Sequence, residues 1–422
     1  MASLDLFLHD RRVGSVEPAS RDRARVTLNI DRDYAQEILL SESFATLPGR
    51  RPPVDAVSNF LGGYVPEGNH REQMASKRRI DKGDLFALLS EFGGSVAGAV
   101  TLRRPDEARD FLPVYEPLDD RALAAKLKQA LEESDQAIPD DSRSTLPGYQ
   151  PKVLVAQFDG EWVYPHGRAH STYILKPQVP SRSSRIFDEH YSHLLTQHLG
   201  LSRYRSEIRK AGRVTYLAIE RFDRTVDAGK VRLHHQEDLA QALGLDWLHT
   251  DVKFQDSDWP ADPKRATARR IGELLGSIPG GEAAVELWVR QLTYCLAIGD
   301  NDAHAKNVAL MHLSTGTELS QVYDALPNLF QEGLIKWDLA FAIDGQFDHR
   351  RMSVERLLAE IKSWGVMSDG RAAAAVTQTL TTLDDVVAAT TPPKGVSAGM
   401  VEQIQWNVQR LRTGSEISQR KR

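Results

Sequence analysis

The chain has 422 residues, 41% hydrophobic and 26% charged, enough for two or three domains and for a core that needs no staples. Its 53 basic and 58 acidic residues give a net charge of −5, which excludes a generally basic nucleic-acid coat but not a local basic patch. The single cysteine, Cys295, excludes an intrachain disulfide and a Cys-rich zinc module, and it predicts a reducing, cytoplasmic setting. No apolar run approaches the ~20 residues of a membrane helix, and the N-terminal residues turn charged too soon for a signal peptide.

Residues 1–110 read as small strands, turns and short helices. Leu4–Leu8 and Arg25–Leu28 are strand-like, Asp84–Phe92 is helical, and Val96–Leu102 is a buried strand candidate. Residues 103–120, rich in Asp, Arg and Pro, make a boundary. Asp119 or Asp120 then caps a helix carrying Leu123, Leu127 and Leu131. Residues 140–232 form the next unit. A Ser/Gly/Pro loop feeds the short strands Val153–Ala156, Trp162–Tyr164 and Thr172–Leu175. The helix Glu189–Leu199 and the strand Val214–Glu220 follow. Residues 233–412 are mostly helical, with helices at Ala283–Ile298, Val354–Trp364, Ala372–Ala389 and Val401–Leu411. Residues 413–422 are set apart as a basic tail, and its end, Gln419–Arg422, reads as disordered. Sheet followed by helices predicts two lobes with a cleft between them.

The densest polar cluster is Gly299-Asp300-Asn301-Asp302-Ala303-His304-Ala305-Lys306-Asn307, between the apolar helix and the strand-like Val308–Met311. Asp302 and Asn307 have the D-x-x-x-x-N spacing of a phosphotransfer loop. There the Asp takes a hydroxyl proton and the Asn binds Mg²⁺. Lys306 is placed to neutralise phosphate charge. The plain alternative is a capped, solvated loop. The other parts of a phosphoryl-transfer site follow in the right order. Lys176 ends a strand, Glu189 in the next helix is placed to pair with it, and Asp324 is placed to hold a second Mg²⁺. There is no G-x-G-x-x-G and no G-x-x-x-x-G-K-[ST].

These residues resemble the HipA family of serine/threonine kinases, the toxin halves of toxin–antitoxin pairs. Thr145–Lys152 resembles the family's S-x-x-G-x-Q-x-K phosphate loop, and Ile219–Arg224 its V-E-R-F-D-R hinge. His234–Asp238 with Ala242-Leu243-Gly244 resembles H-Q-E-D…A-L-G. Asp302–Asn307 matches D-x-H-x-K-N, and Tyr323-Asp324 matches the Y-D metal site. Leu61 with Val65-Pro66-Glu67-Gly68 resembles L-L-P-E-G, and Val96–Val100 resembles C-x-G-A-V. The resemblance implies an α+β, two-lobed, protein-kinase-like fold with a small β-rich N-terminal subdomain and a mostly helical C-terminal lobe. It implies ATP and Mg²⁺, with Asp302 as base and Lys176 on the phosphates. Gly148, Tyr149, Gln150, Lys152, Glu220, Phe222, His304, Lys306, Asn307, Tyr323 and Asp324 would surround the nucleotide, and Asn307 and Asp324 would hold the metal. It also implies a helix-turn-helix antitoxin of the HipB type, operator DNA reached through that antitoxin, and a translation component such as an aminoacyl-tRNA synthetase as substrate.

The chain departs from the family pattern. Thr145, preceded by Ser144, stands where the family has the serine it autophosphorylates. Pro147 and Pro151 stiffen the loop, and Asp300 replaces a more usual Asn. Two other readings compete. One is a metal hydrolase using Glu189, His190, His193, His234 and His235, whose spacing is weak. The other is a kinase-fold co-repressor with little activity.

Overall fold

The computed structural model describes residues 2–19, 22–106, 113–133, 150–330, 336–418 and 420. The N-terminal unit holds β1 (Leu4–Leu8), β2 (Arg11–Pro18), β3 (Val26–Ile30), α1 (Val54–Gly62), α2 (Gly68–Lys77), α3 (Leu85–Phe92) and β4 (Val100–Arg103). Its antiparallel sheet runs β3-β2-β1-β4. Leu4, Leu6 and Leu8 alternate inward, as do Val26, Leu28 and Ile30, which is the period-two burial of a half-covered sheet. The strand expected over Val96–Leu102 starts only at Val100. Gly98, at φ +74°, turns the chain before it.

The second unit holds β5 (Val114–Pro117), α4 (Asp120–Glu133), β6 (Val153–Phe158), β7 (Glu161–His166), β8 (Tyr173–Pro177), α5 (Arg185–His198), β9 (Ser206–Ala211) and β10 (Val214–Glu220). The sheet order is β5-β7-β6-β8-β10-β9. The lobe therefore begins near residue 114, not 140. Strand β5 pairs with β7, and Leu123 and Leu127 of α4 share a core with Val153, Val155, Leu175 and Tyr216. Because strand side chains alternate, Leu175 enters that core while Lys176 faces the other side, toward α5.

The third unit begins with the hairpin β11 (Arg224–Asp227) and β12 (Lys230–Leu233), then β13 (His235–Asp238), α6 (Leu239–Ala242), α7 (Ala268–Ser277) and α8 (Gly281–Ile298). Strands β14 (Ala309–Leu313), β15 (Gly316–Leu319), β16 (Asp338–Ile343) and β17 (Gln346–Asp348) and helices α9 (Val354–Ser363), α10 (Asp369–Ala389) and α11 (Met400–Arg412) complete it. Helix α8 is apolar on nearly every side because α7, α10 and α11 pack around it, burying Trp288 and Tyr294. Residues 413–418, set apart as tail, are docked on the third unit. Ile417 is buried, its amide donates to the Met352 carbonyl, and its own carbonyl accepts from the Trp406 indole. Among the described residues no helix is long and apolar enough to cross a membrane.

The N-terminal unit is fastened to the other two by buried polar groups. Asp223 sits between Arg221 (2.9 and 2.8 Å) and Arg224 (2.8 Å) and accepts from the Gly98 amide at 2.8 Å. Burial acts to raise its carboxyl, but the two guanidiniums outweigh burial and hold it far below the usual carboxylate range. Arg224 in turn donates to the Gly98 and Val96 carbonyls. Glu237 accepts from the Ser41 hydroxyl and the Glu42 amide, both at 2.7 Å, and lies 2.9 Å from His312. A Cβ on Gly98 would come within 2.6 and 2.7 Å of the Gln236 backbone. Gly98→Ala should therefore lower unfolding stability by on the order of 3 kcal/mol in urea titrations. Gly160→Ala, at φ +89° with open space around it, should show only the backbone part of that loss.

Candidate active site

The cleft between the second and third units gathers Lys176, Glu189, Asp302, Asn307 and Asp324. Lys176, from β8, donates to Glu189 Oε1 of α5 at 2.6 Å and to Asp324 Oδ1 at 2.7 Å. The ion pair expected of Lys176 and Glu189 is present, and a carboxylate from the opposite lobe completes it. Burial works against the Lys176 ammonium, but Asp324 and Glu189 outweigh burial and raise it above its ordinary value. Glu189 is pushed up by burial, against the pull of Lys176. Burial also acts to raise Asp324, yet Lys176 holds it below its ordinary value. Lys176 is thus paired with a carboxylate on each side. Asp324 adopts φ +54°, a left-handed conformation Asp tolerates, and its side chain is 43% exposed to the cleft.

Helix α8 delivers the catalytic-loop candidate. It ends at Gly299, at φ +74°, where a Cβ would meet the Phe330 ring at 2.6 Å. Asp300 is buried and accepts from the Asp302 amide (2.9 Å) and Asn328 Nδ2 (3.2 Å), and burial pushes its carboxyl up to about 8. It braces the loop against the segment that follows Asp324. Asp302 is half-exposed in the cleft. Burial, then Asp324, raise it to about 6, while Lys253 and Arg185 pull it down. A carboxylate tuned so close to neutrality is suited to accept a proton. Asn307 Nδ2 donates to the Asp302 carbonyl at 2.9 Å, which leaves its amide oxygen for a cation. Asn307 and Asp324 together offer few, hard oxygen donors, the chemistry Mg²⁺ prefers.

The remaining site candidates divide. The Phe222 ring lies 5.2 Å from Tyr323 and 6.1 Å from Tyr204, an aromatic platform beside the hinge. The Glu220 carboxylate accepts from the Arg205 amide at 3.0 Å. Lys152 is buried and lowered to about 8, by burial first and by Lys176 second. Gln150 Nε2 is buried with no hydrogen-bond partner among the described residues. Ser144, Thr145, Gly148 and Tyr149 lie outside the described residues. His304 is buried, its Nε2 3.8 Å from Asp302, and burial and Lys253 lower it to about 3, so it is neutral at pH 7.

Lys306 departs from expectation. Its ammonium is turned from the phosphate-neutralising position onto the N-terminal unit, 3.0 Å from the Gly63 carbonyl, 3.2 Å from Glu67 and 3.6 Å from Asp238. Two residues that the motifs did not single out for the site, Glu67 and Lys253, meet behind the loop at 2.9 Å. Nothing local in the sequence marks that pairing, since 186 positions separate them. The histidines of the hydrolase reading are engaged elsewhere: His190 and His193 both contact the Ser206 hydroxyl, and His234 contacts Thr225. Among the described residues no group of three or more His, Cys, Asp or Glu could hold a metal ion.

The model of the HipA-like C-terminal domain matches residues 144–391, and that of the HipA N-terminal domain matches residues 4–103. The chain belongs to the HipA family. A putative kinase, Y4mE, of Sinorhizobium fredii is 31% identical over 292 residues, 67% of each chain. The serine/threonine-protein kinase toxin HipA of Shewanella oneidensis is 24% identical over 74% of this chain and 72% of its own. The solved HipA chain of that organism, in a complex with HipB and operator DNA, superposes with a TM-score of 0.79 at 21% identity, covering 98% and 97% of the two chains. The α+β, two-lobed HipA fold is therefore the fold of this chain.

Lys176→Met should destabilise the protein by roughly 3–5 kcal/mol, because it leaves Glu189 buried beside Asp324 without its cation. Adding Glu189→Leu should recover part of that loss in denaturant titrations.

Proposed function

We propose that the chain is an ATP- and Mg²⁺-dependent serine/threonine protein kinase and the toxin half of a toxin–antitoxin pair. The observation that carries the catalytic part is Lys176, held between Glu189 and Asp324 in a cleft that Asp302 and Asn307 face from the other lobe. A co-repressor without chemistry has no need of a buried lysine with two carboxylates, or of an Asp raised toward neutrality. Lys176, with Lys152 behind it, binds and orients the phosphates. Asp302 accepts the proton of the substrate hydroxyl. Asn307 and Asp324 hold Mg²⁺, which when bound neutralises phosphate charge. Phe222, Tyr323 and Tyr204 offer the aromatic surface for the base.

The partner proposed is a HipB-like helix-turn-helix antitoxin, supported by the likeness to a HipA solved with HipB and operator DNA. Operator DNA is then reached through the antitoxin, in keeping with a net charge of −5. The substrate proposed is a translation component such as an aminoacyl-tRNA synthetase, a proposal that rests on the family resemblance.

Asp302→Gln and Asn307→Ala should each cut phosphoryl transfer by on the order of 10²–10⁴-fold while circular dichroism stays native. Retention of more than about a tenth of the wild-type rate by Asp302→Gln would sink the base assignment. The regulatory phosphate is proposed on Thr145 or Ser144. Intact mass after incubation with Mg-ATP should show one added phosphate in the wild type and none in the Ser144→Ala, Thr145→Val double variant.

A further inference from the structure

Glu67 is the last residue before α2, in the N-terminal unit, far in sequence from any catalytic candidate. Its side chain is buried, and both carboxylate oxygens are taken: Oε2 by Lys253 Nζ at 2.9 Å, Oε1 by Lys306 Nζ at 3.2 Å. Both lysines reach the catalytic loop through their backbones. The Lys253 carbonyl accepts from the Ala305 amide at 3.2 Å, which pins the start of the 305–307 turn. Lys306 lies inside that turn, and its carbonyl accepts from the Tyr323 hydroxyl at 3.0 Å. Asn307 follows Lys306 and donates to the Asp302 carbonyl, and Tyr323 precedes Asp324. One carboxylate thus fixes two cations, and through them the backbone that carries Asp302, Asn307 and Asp324.

We infer that Glu67 is a positioning residue for phosphoryl transfer: the N-terminal unit reaches behind the cleft and sets the catalytic loop through the Lys253–Glu67–Lys306 clasp. The inference rests on the kinase reading above. The two ammoniums also hold Glu67 ionised. Burial acts to raise its carboxyl, and Lys306 and Lys253 bring it down to about 2. With Gln in its place, Lys253 and Lys306 lose the carboxylate they share, and the turn is held less firmly, by Asp238, the Gly63 carbonyl and its backbone contacts. None of these contacts reaches Lys176 or the hinge, and the Glu67 charge is a minor one among those acting on Lys152, so ATP binding changes less than turnover. The loss falls on kcat.

The test compares wild type with Glu67→Gln, Lys253→Met, Lys253→Arg and Ser41→Ala. Ser41→Ala weakens the same unit's docking at Glu237 while leaving both lysine contacts of Glu67 in place. Steady-state transfer should show kcat for Glu67→Gln reduced on the order of tenfold or more, with KM for ATP changed by less than about threefold. Lys253→Arg, which keeps a cation opposite Glu67, should recover most of what Lys253→Met loses. Hydrogen exchange without nucleotide supplies a readout independent of turnover. Residues 302–307 should exchange faster in Glu67→Gln and Lys253→Met and unchanged in Ser41→Ala. If Glu67→Gln does not fold, the two Lys253 variants test the clasp from its other side. An active wild type whose Glu67→Gln and Lys253→Met forms keep its kcat, or lose it with unchanged exchange at 302–307, overturns this inference alone. A wild type that transfers no phosphate overturns the kinase reading, and this inference with it.

Discussion

An ammonium taken out of water must be met by carboxylates, and Lys176 is met by one from each lobe. Glu189 reaches it from the helix packed on its own sheet, and Asp324 from the segment that follows β15. Much of the architecture serves that meeting. The alternation of β8 sends Leu175 into the α4 core and Lys176 to the opposite face. Helix α5 lies along β9 and β10, so that its second turn presents Glu189. Asp324 takes a left-handed backbone to aim back at the cleft. A desolvated charge is tolerated only when such partners are fixed, so Lys176 is held in one position in the cleft.

The same constraint explains how the N-terminal unit is attached. Its contact with the rest of the chain is not only apolar. Asp223 is enclosed by two arginines and the Gly98 amide, and Glu237 by Ser41, Glu42 and His312. A buried carboxylate demands donors at fixed directions, so these contacts specify one docking geometry where a greasy interface would allow sliding. Motif residues that read as nucleotide contacts thus serve two tasks. In Ile219–Arg224 the aromatic Phe222 faces the cleft side, while Arg221, Asp223 and Arg224 hold the unit behind it.

The local parts of the fold were legible in the sequence. Apolar runs marked β1, β3, β4, β6, β7, β8 and β10 but not β2, β5 or β9, and the long apolar run marked α8, because each such run reports burial over neighbouring residues. Asp302, Asn307, Lys176, Glu189 and Asp324 were legible by order and spacing, and the structure brings them into one cleft. What could not be read required knowing which distant groups share a buried volume. Residues 114–133 read as a boundary and a lone helix because strand β5 gains its meaning only by pairing with β7. Lys306 read as a phosphate ligand because its neighbour Asn307 faces the cleft, whereas its own ammonium meets Glu67. Ile417 read as tail because its partners, Met352 and Trp406, lie on other elements.

The N-terminal unit is completed by a residue of the third unit. Trp247 belongs to the core of the N-terminal unit, and its indole donates to the Ala24 carbonyl. Arg71 stacks on the ring at 4.7 Å and donates to the Trp247 carbonyl. A ribosome delivers this tryptophan about 140 residues after β4, roughly 7–30 s later at ordinary elongation rates. For that interval the first hundred residues present an open apolar socket and a desolvation-prone Arg71. The N-terminal unit is therefore born unfinished, and its last core residue is supplied by the lobe that would carry out the chemistry. Assembly of the two lobes and completion of the first domain are a single late event.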